Sequence, residues 1–357
     1  MLKRLLTGLA VLTPVIFTNT AHAHRSDVEV DQVSFPVTLS DGVTYNIAGF
    51  YYHRDHGHGG RGRDDHNGRG GRGHDDDDKT LQIAIHGMTY DHKYWDAGVV
   101  NGRDYSYADY MVDEGYDVLA IDQLGAGASD KPFGFTLGIT ETANGVRQVI
   151  ENLRTRNNKI RRSPFRDIVL VGHSMGSITA IREESIWHSA DALITTGWGH
   201  TPPTGQVDSS FILPLFAQPY FPQFAFTAPI RAALFYYTPK TDPDVITYDA
   251  NTLASTVATG QVLEVFSTMN QTPWNDGVAN VTGRVLVQLG DQDLYIAPYV
   301  GDAAERAHWT SASKVTVQGI QNMGHDFNTH LNRRDSWDGI ARWLRDRDRR
   351  GGGRDCD

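Results

Sequence analysis

One segment constrains this chain more than any other: Ile168-Val169-Leu170-Val171-Gly172-His173-Ser174-Met175-Gly176. Four apolar, mostly β-branched residues run straight into G-x-S-x-G. Ile178, Ile181 and Ser185 then fall on one helical stripe. A strand that turns abruptly into a helix at a serine needs glycines beside it, because side chains there would collide, and the turn pushes the hydroxyl out above the sheet. The start of the following helix favours negative charge developing nearby. Ser174 is therefore the expected nucleophile, and the backbone N–H of Met175 one expected donor to an oxyanion.

The rest of the chain repeats that strand-and-helix rhythm. Val43 to Tyr52 reads as an early strand. Leu81 to Ile85, Tyr116 to Ile121, Ile168 to Val171, Ala192 to Thr195, Val285 to Leu289 and Lys314 to Val317 read as further strands. Several are short apolar runs, the pattern of parallel strands covered on both faces. Ala143, Val146, Ile150 and Leu153 form a helical stripe between two of them. The alternation predicts an α/β fold, a doubly wound and mostly parallel sheet. From about Thr201 to Val281 the rhythm breaks into a stretch rich in proline and aromatics, read as a cap inserted at 201–281. The core is then expected at 24–200 and 282–345.

Three loops after strands carry the remaining chemistry. His86-Gly87-Met88 follows the strand that ends at Ile85, and acyl transfer needs a second backbone donor from a loop so placed, which makes the Met88 N–H the candidate. Gly290-Asp291-Gln292-Asp293 follows another strand. A carboxylate there can orient an imidazole and stabilise its charged form. Asp293 sits further into the loop and is the expected acid, with Asp291 expected to cap the turn. Gly324-His325-Asp326 follows the last strand, and His325 is the expected general base, with His330 as the fallback. The chain order Ser, Asp, His is the one a sheet of this kind uses.

With these residues in hand, the chain resembles the α/β-hydrolase superfamily over nearly all of its length. Asp122-Gln123-Leu124-Gly125-Ala126-Gly127-Ala128-Ser129-Asp130-Lys131-Pro132 resembles that superfamily's D-x-x-G-x-G-x-S-D-x-P segment, which shapes a loop rather than reacting. His86 through Trp95-Asp96, with Tyr105-Ser106-Tyr107, is similar to a subgroup of bacterial and fungal hydrolases. The resemblance implies a two-step acyl transfer on a small ester-like substrate, with no metal and no organic cofactor. Lactonase, thioesterase, acyltransferase and perhydrolase chemistry would use the same residues. A binding protein that kept the fold is the alternative outside enzymology.

Composition excludes other classes. The formal net charge of −10 disfavours nucleic acid as a partner. Lys3 and Arg4, the apolar run Leu5 to Phe17 and Ala21-His22-Ala23 read as a signal peptide over 1–23, so the mature protein is expected to be secreted, extracellular or periplasmic, without a stable membrane anchor. Cys356 is the single cysteine, so no intramolecular disulfide can form. His53 to Lys79 holds no apolar residue and reads as a disordered loop. Its two G-x-G-x-x-G matches, from Gly57 and Gly68, open no helix and do not indicate dinucleotide binding. Its histidines are read as part of a spacer rather than a metal site. From Arg345 the chain reads as a frayed charged tail.

Overall fold

The computed structural model describes residues 27–54, 79–202, 209–269, 271, 275–294 and 296–351. The segment at 1–23, the interior of the 53–79 tract and Cys356 lie outside them.

Eight strands form the central sheet: β1 (Val28–Thr38), β2 (Thr44–Arg54), β3 (Leu81–Ile85), β4 (Asp117–Ile121), β5 (Ile168–His173), β6 (Ala192–Thr196), β7 (Arg284–Gly290) and β8 (Lys314–Ile320). Their spatial order is β1-β2-β4-β3-β5-β6-β7-β8. β2 pairs antiparallel with β1 and β4, and the remaining neighbours are parallel. β3, β4, β5 and β6 are buried along their whole length. Alternate residues serve opposite faces, as the two-residue period of a strand requires. Ile168 and Leu170 enter the core under α2 (Ile139–Leu153) and α3 (Met175–Ile186). Val169 and Val171 enter the core under α1 (Tyr107–Asp113) and α8 (Arg333–Gly351).

The cap lies in the chain between β6 and β7. It carries α4 (Ala228–Phe235), α5 (Pro243–Tyr248) and α6 (Thr259–Met269), with a short ladder of Tyr220–Phe221 on Val257–Ala258. It is docked by main chain as well as side chains. The Gly260 N–H donates to the Gly134 carbonyl at 2.8 Å, and a Cβ on Gly260 would stand 2.7 Å from the Leu137 oxygen. The helix α7 (Asp302–Arg306) then fills the β7–β8 connection.

Two expectations need correction. β2 continues through His53 and Arg54, where His53 Nε2 meets Asp31 at 3.1 Å and Arg54 reaches Asp113 at 3.3 Å, so the polar tract begins later than its composition suggests. The segment after Arg345 is not frayed through Gly351. α8 runs that far because Arg345 pairs with Glu114 and Arg347, largely buried, pairs with Asp167 and Thr80. Among the described residues no helix is long and apolar enough to cross a membrane.

Candidate active site

The turn from β5 into α3 is as tight as the sequence requires. Ser174 has φ 52° and ψ −119°, outside the regions open to an unstrained residue. A Cβ on Gly172 would stand 2.5 Å from Ser177 Cα, and one on Gly176 would stand 2.1 Å from the Ile85 oxygen. The two glycines are therefore sterically obligatory. The Ser174 N–H donates to the Thr196 carbonyl at 2.9 Å, pinning the turn to the end of β6.

Ser174, His325 and Asp293 meet above the sheet. The Ser174 hydroxyl lies 2.8 Å from His325 Nε2, and His325 Nδ1 lies 2.7 Å from Asp293 Oδ2. With the Nδ1–H donated to the carboxylate, Nε2 is left as the acceptor for the serine hydroxyl. All three side chains are buried to within a tenth of their surface. Asp291 goes elsewhere: its Oδ1 accepts the Met323 N–H at 3.3 Å and closes the turn between β7 and the His325 loop. His330 is also occupied. Its Nδ1–H donates to the Asp326 carbonyl, and its Nε2 accepts N–H groups of Tyr237 at 3.0 Å and Gly324 at 3.2 Å. Burial holds its pKa below the ordinary imidazole value, so it is a neutral brace for the loop.

His86 braces the opposite side in the same manner. Its Nδ1–H donates to the Gly87 carbonyl at 2.9 Å, and its Nε2 accepts the Gln123 N–H at 3.0 Å. Burial again pushes its pKa down. The ring thereby fixes the peptide that leads into Met88. Met175 is the first residue of α3, so its N–H has no acceptor within the helix. Met88 and Met175 both border the cavity over Ser174.

That cavity measures about 140 Å³. Its walls are apolar, supplied by Trp198 from the sheet side and by Phe226, Leu234, Phe235, Val265 and Met269 from the cap; among the described residues no carboxylate, lysine or arginine borders it. A dry, apolar cavity of roughly 150 Å³ in another protein takes benzene, so a small hydrophobic group fits the chemistry here. His173 also borders the cavity. Its ring stacks on Tyr94 at 4.5 Å, its Nδ1 bonds Thr196 Oγ1 at 3.1 Å, and its Nε2 has no partner among the described residues. Burial, and then His325, hold it well below the ordinary imidazole pKa.

The D-x-x-G-x-G-x-S-D segment shapes its loop as the resemblance implies. Asp122 Oδ1 accepts the His92 N–H at 2.7 Å and Oδ2 accepts the Ala128 N–H at 2.7 Å, while Ser129 Oγ donates to the Asp122 carbonyl at 2.6 Å. Asp91, His92 and Asp122 bring possible metal-donor atoms within 4.8 Å of one another. Those atoms already serve the protein: His92 Nδ1 bonds Asp122 at 2.8 Å, and Lys93 pairs with Asp91 at 3.1 Å.

Sequence reasoning missed the polar groups behind the cavity wall, Arg231 and Asp249, and the strained Thr89, whose φ is 65°. Arg231 left one trace, as the single charge in the apolar helix Ala-Pro-Ile-Arg-Ala-Ala-Leu-Phe.

A sheet of this order with a strained serine at the β5–α3 turn defines an α/β-hydrolase. The model of the alpha/beta hydrolase family matches residues 83–342, most of the chain, and the chain belongs to that family and is a hydrolase. No curated protein matches it. Among solved structures, a thermophilic esterase from Thermogutta terrifontis superposes with a TM-score of 0.59 at 18% identity, over 88% of this chain and 98% of that one. A monoacylglycerol lipase of Paleococcus ferrophilus gives 0.51 at 15% identity, over 88% and 98%. An enzyme that degrades N-acyl homoserine lactones gives 0.52 at 17% identity, over 86% and 98%. At these identities the likeness is one of fold.

Proposed function

We propose that this chain is an exported serine hydrolase that cleaves the ester-like bond of a small, hydrophobic substrate through Ser174, His325 and Asp293. The observation that carries the reading is the unbroken hydrogen-bonded series Ser174–His325–Asp293, whose first two members line an apolar cavity. Its esterase and lipase neighbours in fold accord with that substrate class.

In the proposed reaction, Ser174 Oγ attacks the acyl carbonyl as its proton passes to His325 Nε2. Asp293 stabilises the imidazolium and holds its orientation. The N–H groups of Met88 and Met175 receive the negative charge of the carbonyl oxygen. The tetrahedral intermediate collapses, the C–O bond to the alcohol breaks, and His325 returns the proton to the leaving oxygen. Water, deprotonated by the same imidazole, then attacks the acyl carbon; the bond to Ser174 Oγ breaks, His325 returns the proton to that oxygen, and the carboxylic acid leaves. The apolar wall receives the acyl or alcohol hydrocarbon.

A series of nitrophenyl esters from acetate to laurate tests this reading. Turnover is expected with the short and medium acyl groups, and Ser174→Ala should lower kcat by about 10⁴ or more while the protein stays folded. Equal turnover by the folded Ser174→Ala variant would discard the assignment. Preference for a lactone or thioester over the matching oxoester would move the substrate class without moving the site.

A further inference from the structure

We infer that Arg231, on α4 of the cap, is a positioning residue for the oxyanion loop: its guanidinium holds Thr89 in a left-handed backbone conformation and so anchors the chain after Met88, which together with His86 on the near side keeps the Met88 N–H in its direction. This rests on the proposed roles of Ser174 and Met88.

Thr89 directly follows Met88 and has φ 65°. A β-branched residue there is a genuine outlier, because its Cβ crowds the backbone. Such a conformation persists only where the surroundings over-determine it. The surroundings of Thr89 do so. Its carbonyl accepts the Ser255 N–H at 2.8 Å and Arg231 Nη2 at 3.3 Å, and its hydroxyl accepts from the same Nη2 at 3.1 Å.

Arg231 is itself fully buried, which is unfavourable for a cation without partners. It has them. Nη1 meets Asp249 Oδ1 at 3.0 Å, Nε donates to the Phe226 carbonyl at 3.0 Å, and the guanidinium lies 4.8 Å from the centre of the Tyr90 ring. Asp249 Oδ2 accepts from Tyr236 at 2.8 Å and lies 3.0 Å from the Tyr90 hydroxyl. That hydroxyl is also 2.7 Å from Asp326, the residue after His325. One buried network thus spans the cap, the loop that carries Met88 and the loop that carries His325. Arg231 does not border the cavity. It acts on the reaction through Thr89.

The test uses the full chain with Arg231→Lys, and with Arg231→Met joined to Asp249→Asn so that no carboxylate is left unpaired. Each is also made with Thr89→Gly, since glycine adopts the required φ without strain. Thermal melts establish folding. Nitrophenyl butyrate supplies kcat and KM, and an alkyl boronic acid, which forms a tetrahedral adduct on serine, supplies an affinity that depends on the oxyanion donors.

Loss of one oxyanion donor costs about 10²–10³ in kcat, so partial misdirection should cost about 10- to 100-fold with KM changed less than about threefold. Boronate affinity should fall by the same factor, and Thr89→Gly should recover about tenfold of it. If the double variant does not fold, Arg231→Lys with and without Thr89→Gly decides. Folded Arg231 variants with kcat within about threefold of a working wild type, or with KM alone changed, overturn the inference and leave Ser174 in place. A wild type that neither turns over the ester nor binds the boronate removes both.

Discussion

His325 and His200 are both buried imidazoles set against carboxylates, and they are built for opposite purposes. His325 has Asp293 on one ring nitrogen and the Ser174 hydroxyl on the other, at 2.7 and 2.8 Å. His200 has a carboxylate on each: Glu305 at 2.7 Å on Nδ1 and Asp276 at 2.8 Å on Nε2. Two carboxylates require two N–H donors, so His200 is held as an imidazolium. Burial opposes that charge, but Asp276 and Glu305 outweigh it and push its pKa up to about 10. The indole N–H groups of Trp198 and Trp309 complete the cluster, at 3.0 and 2.8 Å. Such a ring cannot accept a proton, and it lies behind Trp198, away from the cavity. It fastens the end of β6 to Asp276 and to α7. The partner on the second nitrogen separates a ring left free to accept a proton from one held as a structural cation.

The largest loss of activity is expected at Asp293. Asp293→Asn should lower kcat by up to about 10⁴, the cost of the same exchange in a serine protease, because the amide lets the imidazole present the wrong tautomer. Asp291→Asn keeps an oxygen for the Met323 N–H and should cost under about tenfold. Ester kinetics on the two variants decide, and a larger loss for Asp291→Asn would reassign the acid.

At His200 the expected effect is smaller and falls on stability. Its folded-state pKa is raised above the ordinary 6.5. Its stabilisation is therefore complete below about pH 6.5 and is lost as pH climbs through about 10. His200→Gln leaves both Asp276 and Glu305 without their charged partner and should lower Tm by several degrees at neutral pH. That deficit should shrink steadily toward pH 10.5 as the wild type loses its own imidazolium. Thermal melts across this range check it. Parallel curves for the two proteins would mean that His200 is not held as a cation.

Most of the sheet and the three residues brought together above it were legible because local pattern and tertiary role coincide there. Ile168-Val169-Leu170-Val171 is apolar for both faces of the sheet, and the glycine at 172 is demanded by the backbone of the helix turn that follows it, the one at 176 by the end of β3. β1 was not legible: its alternation is broken by Gln32 and Pro36, and a proline is tolerated because the strand lies at the sheet edge. α8 was hidden by its charge. Trp337, Ile340, Ala341 and Leu344 form a buried helical stripe inside a run dominated by arginine and aspartate. The cap's ionic network was hidden for a third reason. Arg231, Thr89 and Asp249 are far apart in the chain, and the φ of Thr89 leaves no mark in composition.

Labelling the protein with a fluorophosphonate and mapping the modified peptide tests whether Ser174 is the nucleophile and His325 activates it. The expected result is a single adduct on Ser174, formed slower by about 10³ or more in folded His325→Ala. A folded wild type that takes up no label, or takes it up on another residue at the same rate with and without His325, would contradict it.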